Sequence, residues 1–582
     1  EWASVNQETL QAHRRLRTAT RNWMESGKSR DLLLQRGRPV SEARMLLARD
    51  VTLDRDERAF VEASLRRSHQ MRWLRYAATS SVVVFAVVAV IAAWLATDAR
   101  DEAEQRRVEA QGMVNFMLKD LRERLEPIGR IDLLDSVIST VLSTLRGRDP
   151  GTLRDDELAS LGYALRHIAY LSASKGDREA AVAAFKESLT IAEELYSREP
   201  DSPSRLYDLG NAWFGLGYTP YVEGDYAGAR PAFEQYLRIA RDLVIREPAN
   251  ESYRLELSYA ESNLGSVAFN LGAYGEALTH FGAAAGIGRQ LTALHPDSLD
   301  YKIELAESLS WLSTLQERMG DFRGSLETRY EAIALNERLV AQVPDDRRWR
   351  NAQARSKFLL AELLTVLDDR AALRYSAASV DELTALVRHD PENAGWSRDL
   401  AYAHTVASEA HYQFRDAAGG LQHAMKALEL AETLHAADPE RADWRTRLGR
   451  AHMARAKALN ELGEPDAALK SVAMATAVVA ADGGSIPVQV SLAMLEGRIL
   501  ASQSLTRSTA ALARAVSVAD AGLNLGDAYE RAQWVEARLR AARPEELDSA
   551  VTALLDAGYR ARDFVDACLA AQGFCTQPLA AD

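Results

Sequence analysis

Pro200, Pro248, Pro296, Pro344, Pro391 and Pro439 stand 48, 48, 48, 47 and 48 residues apart, and Pro487 follows 48 residues later. A fixed interval of about 20 to 50 residues commits a chain to a stack of like units, each of which buries its apolar side only against its neighbours. Stacks of this kind work by presenting a long surface to a partner. The spacing therefore sets an expectation of binding rather than catalysis.

The contents of the interval define the unit. Five residues after five of the prolines stands an aromatic, Tyr253, Tyr301, Trp349, Trp396 or Trp444, and Tyr207 is displaced by two in the first case. Seventeen residues after each proline the side chain is small: Gly217, Gly265, Ser313, Ala361, Ser408 and Ala456, with Ala169 extending the series backwards. Gly176-Asp177, Gly224-Asp225, Gly272-Ala273, Gly320-Asp321 and Gly463-Glu464 keep the same period and supply a turn between two apolar helical stretches. Each unit is expected to be a helical hairpin, and the chain an all-α solenoid.

The order of small residue, Gly, aromatic and Ala, as in Gly265, Gly272, Tyr274 and Ala277, resembles the tetratricopeptide repeat. In that family small residues let paired helices approach closely. The standard unit has 34 residues. The surplus here divides into seven residues before the small position and seven after the second Gly, about two helical turns each, so both helices lengthen without losing packing phase. Seven repeats are expected over 151–486, with a degenerate repeat and cap over 487–582. Repeat five departs from the pattern: it is one residue short, has Asp368-Asp369 at the turn and places Leu373 at a small position, so a local irregularity is expected there.

A single uncharged run, residues 77–97, interrupts an otherwise charged region. Twenty helical residues cover about 30 Å, and Trp73, Tyr76 and Trp94 stand near its ends, so a transmembrane helix in contact with a lipid bilayer is expected. Residues 1–76 carry 16 Arg/Lys and 10 Asp/Glu, net +6; from the whole-chain charge of −13 the remainder carries −13 − 6 = −19. This asymmetry predicts an inner-membrane protein with a cytoplasmic N-terminus and an extracytoplasmic array. The acidic array has no basic stripe for nucleic acid.

The stretch from His13 to Pro39, followed by Phe60-Val61-Glu62-Ala63-Ser64, resembles the C-terminal end of STAND-type signalling NTPases of bacterial multidomain proteins. That resemblance implies that 1–76 closes such a domain and that the chain is a fragment. No Gly-x-x-x-x-Gly-Lys-Ser/Thr loop occurs in the 582 residues, so ATP or GTP would belong to a region upstream, and neither cofactor nor enzymatic activity is expected here. Residues 98–150 read as juxtamembrane connector helices. Val114, Leu118, Leu121 and Leu125 form a short seam, and Ala89, Ala93, Ala92 and Ala96 a small-x-x-x-small pattern, either of which would serve a homodimer. The resemblance as a whole implies a membrane-anchored signal-transduction protein whose array binds a peptide, protein or envelope ligand and biases an effector. The alternative is a non-signalling scaffold that assembles envelope proteins.

Carrying the family's groove positions onto this chain names Tyr163, Tyr170, Asn211, Phe214, Tyr218, Tyr221, Tyr259 and Phe269 as ligand contacts. The later equivalents are Glu307, Glu317, Arg355, Glu362, Glu409, Arg450 and Lys457. Aromatics give contact area at small entropic cost and charges give register, which suits an extended peptide. The other reading is that lengthened helices bury these rings against one another. Pro220 is expected to interrupt the helix that carries four of them. His404 and His411 lie about two turns apart, too far to share a metal, and no metal site is expected. Cys568 and Cys575 are the only cysteines. Gly573 is placed to turn the chain back between them, so a disulfide and two packed thiols both remain open.

Overall fold

The structure is a computed structural model that describes residues 2–49, 52–70, 73, 88–91, 93–94, 142, 153–174, 177–439, 441–480, 485–541 and 547–571. The chain forms two units, Glu1–Arg124 and Leu125–Asp582.

The first unit holds helices Trp2–Glu25, Arg38–Ala48 and 55–70, with a short helical turn at Arg30–Leu32 between the first two. The Trp23 and Phe60 rings meet at 5.2 Å, and Leu16, Ala43, Leu46 and Val61 complete a small core. Glu57 is buried among them. Its carboxylate accepts from Arg17 at 3.1 Å and from the Asp54 backbone N–H at 3.0 Å, and His13 Nε2 lies 3.2 Å away. Burial alone would raise its pKa; these hydrogen bonds outweigh burial and hold it below the usual carboxylate range.

The membrane localisation expected from the sequence is corrected here. Among the described residues no helix is long and apolar enough to cross a membrane. The repeat helices have the length, about 30 Å for 20 residues, but charges break their apolar character, as Glu276 and Arg289 do in Tyr274–Leu294. Of the run 77–97 only 88–91, 93 and 94 are described; Val88, Val90, Ile91 and Trp94 are all exposed there. The remainder of that run, the connector seam and Ala92 and Ala96 lie outside the described residues.

The second unit is a stack of helix pairs. They run Asp155–Ser174 with Arg178–Arg198 (pair one), Pro203–Val222 with Tyr226–Arg246 (two), Glu251–Asn270 with Tyr274–Leu294 (three) and Leu299–Met319 with Phe322–Gln342 (four). Arg347–Val366 with Ala371–His389 (five), Ala394–Gln413 with Ala417–Ala437 (six), Ala442–Glu461 with Pro465–Ala480 (seven) and Ile486–Leu500 with Leu505–Gly522 (eight) follow. First helices touch the first helices of neighbouring pairs, in pairs one and two, three and four, and from five through eight, so they form the inner face of the stack.

Caps written into the period set the helix boundaries. Asp177, Asp225, Asp321 and Asp416 cap second helices, and Ser202, Asn250, Ser298, Asp346 and Asn393 cap first helices, each side chain accepting a backbone N–H of the first turn. Gly224, Gly272, Gly320 and Gly463 take φ of +82°, +75°, +86° and +78° between the helices, a conformation that costs a side chain roughly 1 kcal/mol or more. In pair five this place falls to Asp368 at φ +60°, Arg370 precedes the second helix without a side-chain cap, and that helix has 19 residues where pairs one to four have 21. Pair five thus lacks both the glycine and the cap, whereas pair six lacks only the glycine, with Arg415 at φ +63°, and pair three only the cap, at Ala273.

Close approach within a pair follows from the small positions. A Cβ on Gly217 would stand 2.6 Å from Phe233, and one on Gly265 2.7 Å from Phe281. These phenylalanines are fully buried, as is Phe185 in pair one. Pair four replaces the ring by Arg329, whose guanidinium is buried on Glu317 at 2.6 Å. Pro220 does not interrupt its helix, which runs on to Val222. Its ring removes the donor to the Leu216 carbonyl without ending the helix, and Pro231 likewise lies inside Tyr226–Arg246.

The end of the chain leaves the stack. Ala528–Arg540 packs on the first helix of pair eight and also reaches the first helix of pair four. Tyr529 donates to Glu317 at 2.9 Å, and Asp527 takes Arg318 at 3.1 Å and Tyr274 at 3.0 Å. Phe322, Leu363, Val535, Leu554, Tyr559 and Phe564 form the apolar core of this closure. Arg562–Ala570 then docks on the C-terminal ends of inner helices: the Arg560 N–H donates to Val366 O, and Arg562 donates to Tyr412 O and Glu461.

Candidate ligand site

The inner face divides into an aromatic stretch and a charged chamber. In pairs one and two, Tyr170 meets Tyr218 edge-on at 5.1 Å and Phe214 at 6.5 Å, while Phe214 stacks on Phe233 at 5.8 Å. Tyr221 shares a 2.7 Å hydrogen bond with Ser266 of the next pair. Asn211 donates back to the Tyr207 carbonyl of its own helix, and Tyr163 lies against His167. Tyr163, Tyr170, Phe214, Tyr218 and Tyr221 are half-buried, and Phe233 is fully buried.

Tyr259 is the most open of the expected set, 38% exposed. Removal from water, with Glu304, Glu256 and Glu307 nearby, drives its phenol well above the usual range, so it stays neutral. Phe269 contacts Tyr274 and the edge of Trp311. Trp311 stacks flat on Phe281 at 5.6 Å and remains 37% exposed. Its place outside the groove positions carried over from the family is why sequence reasoning missed it. Beneath Tyr259, Glu304 is buried and accepts from Ser258 at 2.9 Å and Ser308 at 3.2 Å. Burial pushes this carboxyl up to about 7 against those bonds, with Glu307 adding to the shift.

The charged positions separate by role. Glu317 is buried in its pair with Arg329 and its bond from Tyr529, and so belongs to the closure. Glu307 and Arg355 are exposed. Glu362, Glu409, Arg450 and Lys457 come together around one cavity of about 330 Å³, enclosed by first helices of pairs five to eight, by Gln533 and by the turn into Arg562. Tyr402 donates to both Glu362 oxygens at 3.0 and 2.9 Å. Lys457 pairs with Glu409 at 2.8 Å. Asp563 comes from the terminal helix to this wall, where Tyr412 donates to it at 2.7 Å, Arg498 pairs with it and Lys457 lies 3.6 Å away. Burial would raise Asp563, but Arg498, Lys457 and Arg540 outweigh it and hold the carboxylate ionised. Lys457 is raised in turn: Glu409 and Asp563 overcome its burial.

Sequence reasoning found four walls of this chamber and missed Tyr402, Tyr412, Arg498, Gln533 and Asp563. The last two lie beyond the period, where nothing marks an inward side chain. The histidines are also rearranged. His404 Nδ1 lies 2.9 Å from His423 Nδ1, and His411 stacks on the same ring at 5.3 Å while bonding Asp416. Burial and the neighbouring His423 lower His404 to about 4. Cys568 is buried and disulfide-bonded, and Cys575 lies outside the described residues.

Residues 164–195 match the family model described as Tetratricopeptide repeat. No curated protein matches the chain. Among solved structures, the apo form of RapI is similar at 12% identity over 70% of this chain and 97% of its own, with a TM-score of 0.44. Aspartyl phosphate phosphatase F from Bacillus subtilis is similar at 11% over 70% and 93%, TM-score 0.42. The apo quorum sensor NprR from B. thuringiensis is similar at 10% over 78% and 99%, TM-score 0.38. At such scores these likenesses carry nothing about ligand or activity. The matched repeat and the paired helices make the second unit an all-helical, tetratricopeptide-like solenoid among the described residues.

Proposed function

We propose that the solenoid is an interaction module that holds an extended peptide or protein segment on its inner face, with contact centred on pairs two to four. The observation that carries this reading is the pair of large aromatic side chains, Tyr259 and Trp311, left 38% and 37% exposed on inner helices whose other rings are half-buried. Rigid aromatics of this kind supply contact area at small entropic cost. The exposed carboxylate of Glu307 nearby adds charge register. A random-peptide display selection against the protein tests it. Enriched peptides are expected to lose at least roughly tenfold in affinity on Tyr259→Ala or Trp311→Ala, the loss of one well-placed aromatic, and to be indifferent to Arg323→Ala on an exposed second helix. Failure of any sequence to enrich would refute the reading.

A signalling role is the finer part of the proposal. It rests on the resemblance of 1–76 to the end of a STAND-type NTPase, with capture on the array biasing a domain joined to that unit. Deleting pairs one to eight in the full protein is expected to abolish ligand-dependent output; unchanged output and response would leave the scaffold reading in its place.

A further inference from the structure

The chamber in pairs five to eight has features that packing alone does not explain. Arg450 is exposed toward it and makes no ion pair within 4 Å among the described residues, although charged partners surround it. Its nearest carboxylate in electrostatic terms, Glu362, is engaged by Tyr402. Arg447, on the same helix, lies 4.3 Å over the Tyr402 ring and likewise has no ion pair among the described residues. Glu362 acts on Arg450 and Asp399 on Arg447 through space, but neither carboxylate pairs directly with these guanidinium groups, so a bound carboxylate would supply the direct partner that Arg450 lacks. On the opposite wall, Gln533 donates to Ser491 at 3.0 Å, but its carbonyl oxygen is buried with no hydrogen-bond partner. A buried acceptor left unmade costs about 1 to 3 kcal/mol, and Gln533 lines the same cavity as Glu362.

We infer that the chamber is a small-molecule site, separate from the peptide face of pairs two to four, that takes a zwitterion of free amino-acid to dipeptide size. The ligand's carboxylate pairs with Arg450. Its ammonium donates to the Gln533 carbonyl and toward Glu362. The cavity volume of about 330 Å³ suits this size and lies at the small end of ligand pockets, which span roughly 300 to 1,000 Å³. Because the terminal helices form part of the wall, the ligand would tie Gln533 to the inner helices of pairs five to seven. Occupancy would therefore strengthen the closure.

The test is isothermal titration of the full chain with the free α-amino acids and the glycyl dipeptides as probes, paired with thermal unfolding. At least one probe is expected to bind one-to-one and to raise the unfolding midpoint. Its N-acetylated and C-amidated forms are expected to lose binding. Arg450→Met and Gln533→Met are each expected to weaken it by roughly tenfold or more, the worth of a charge-assisted hydrogen bond, while far-ultraviolet circular dichroism reports an unchanged fold. Tyr259→Ala should leave it intact, which separates this site from the peptide face. Absence of saturable binding across the panel, equal binding of the blocked forms, or wild-type affinity in both variants would overturn the inference.

Discussion

Glu304 offers a stringent test of the energetics of the inner face. It is 4% exposed, and burial lifts its carboxyl from an ordinary 4.5 to about 7. Below pH 4.5 the group is protonated in both folded and unfolded chains and costs nothing. Between 4.5 and 7 the unfolded chain ionises while the folded one keeps its proton, so stability falls as pH rises. Above 7 both are ionised and the folded state bears the whole penalty. A shift of about 2.5 from the ordinary value, at about 1.4 kcal/mol for each step of one, gives about 3.5 kcal/mol as an upper figure. Glu304→Gln keeps an oxygen for Ser258 and Ser308 and removes the charge. The variant is expected to be more stable than the parent by about 2 to 3 kcal/mol at pH 8 and within about 0.5 kcal/mol of it at pH 4. Because stacked repeats open in parts, urea titration should be read by hydrogen exchange in pairs three and four. An equal gain at both pH values, or a loss at pH 8, would refute the reasoning.

Three further perturbations follow from the packing. Arg329→Met strands the Glu317 carboxylate in the core and is expected to destabilise by about 3 to 5 kcal/mol; adding Glu317→Gln should recover much of that, as double-variant denaturation would show. Gly265→Ala puts a Cβ 2.7 Å from the Phe281 ring and should cost about 1 to 3 kcal/mol, whereas Gly282→Ala meets nothing within 4 Å and should gain about 0.5 to 1 kcal/mol, both read by denaturant midpoint. His404, lowered from 6.5 to about 4, contributes stability that is complete above pH 6.5 and drains away as pH falls toward 4. His404→Gln should flatten that limb of the midpoint-against-pH curve.

The repeat fold was legible because each signal in the sequence has one local cause. Asp225 and Asp321 are caps, Gly272 and Gly320 need positive φ, and Gly217 and Gly265 admit Phe233 and Phe281. The chamber was legible only by half. Glu362, Glu409, Arg450 and Lys457 recur at repeat positions, but Gln533 and Asp563 reach them from a segment that has left the period, after 70 or more intervening residues. Long-range closure leaves no periodic trace. Pro220 shows the converse limit: its residue type predicts a break, yet Pro203–Val222 runs through it, as Tyr226–Arg246 runs through Pro231. The run at 77–97 shows how an uncharged stretch supports a sequence expectation that the described helices do not uphold.

The most direct test of the central claim is photo-crosslinking with a selected peptide that carries a benzophenone at its centre, followed by mass-spectrometric mapping. The account predicts adducts within Pro203–Val222, Glu251–Asn270 and Leu299–Met319, the inner helices of pairs two to four. Adducts confined to second helices such as Tyr226–Arg246 or Phe322–Gln342 would contradict it.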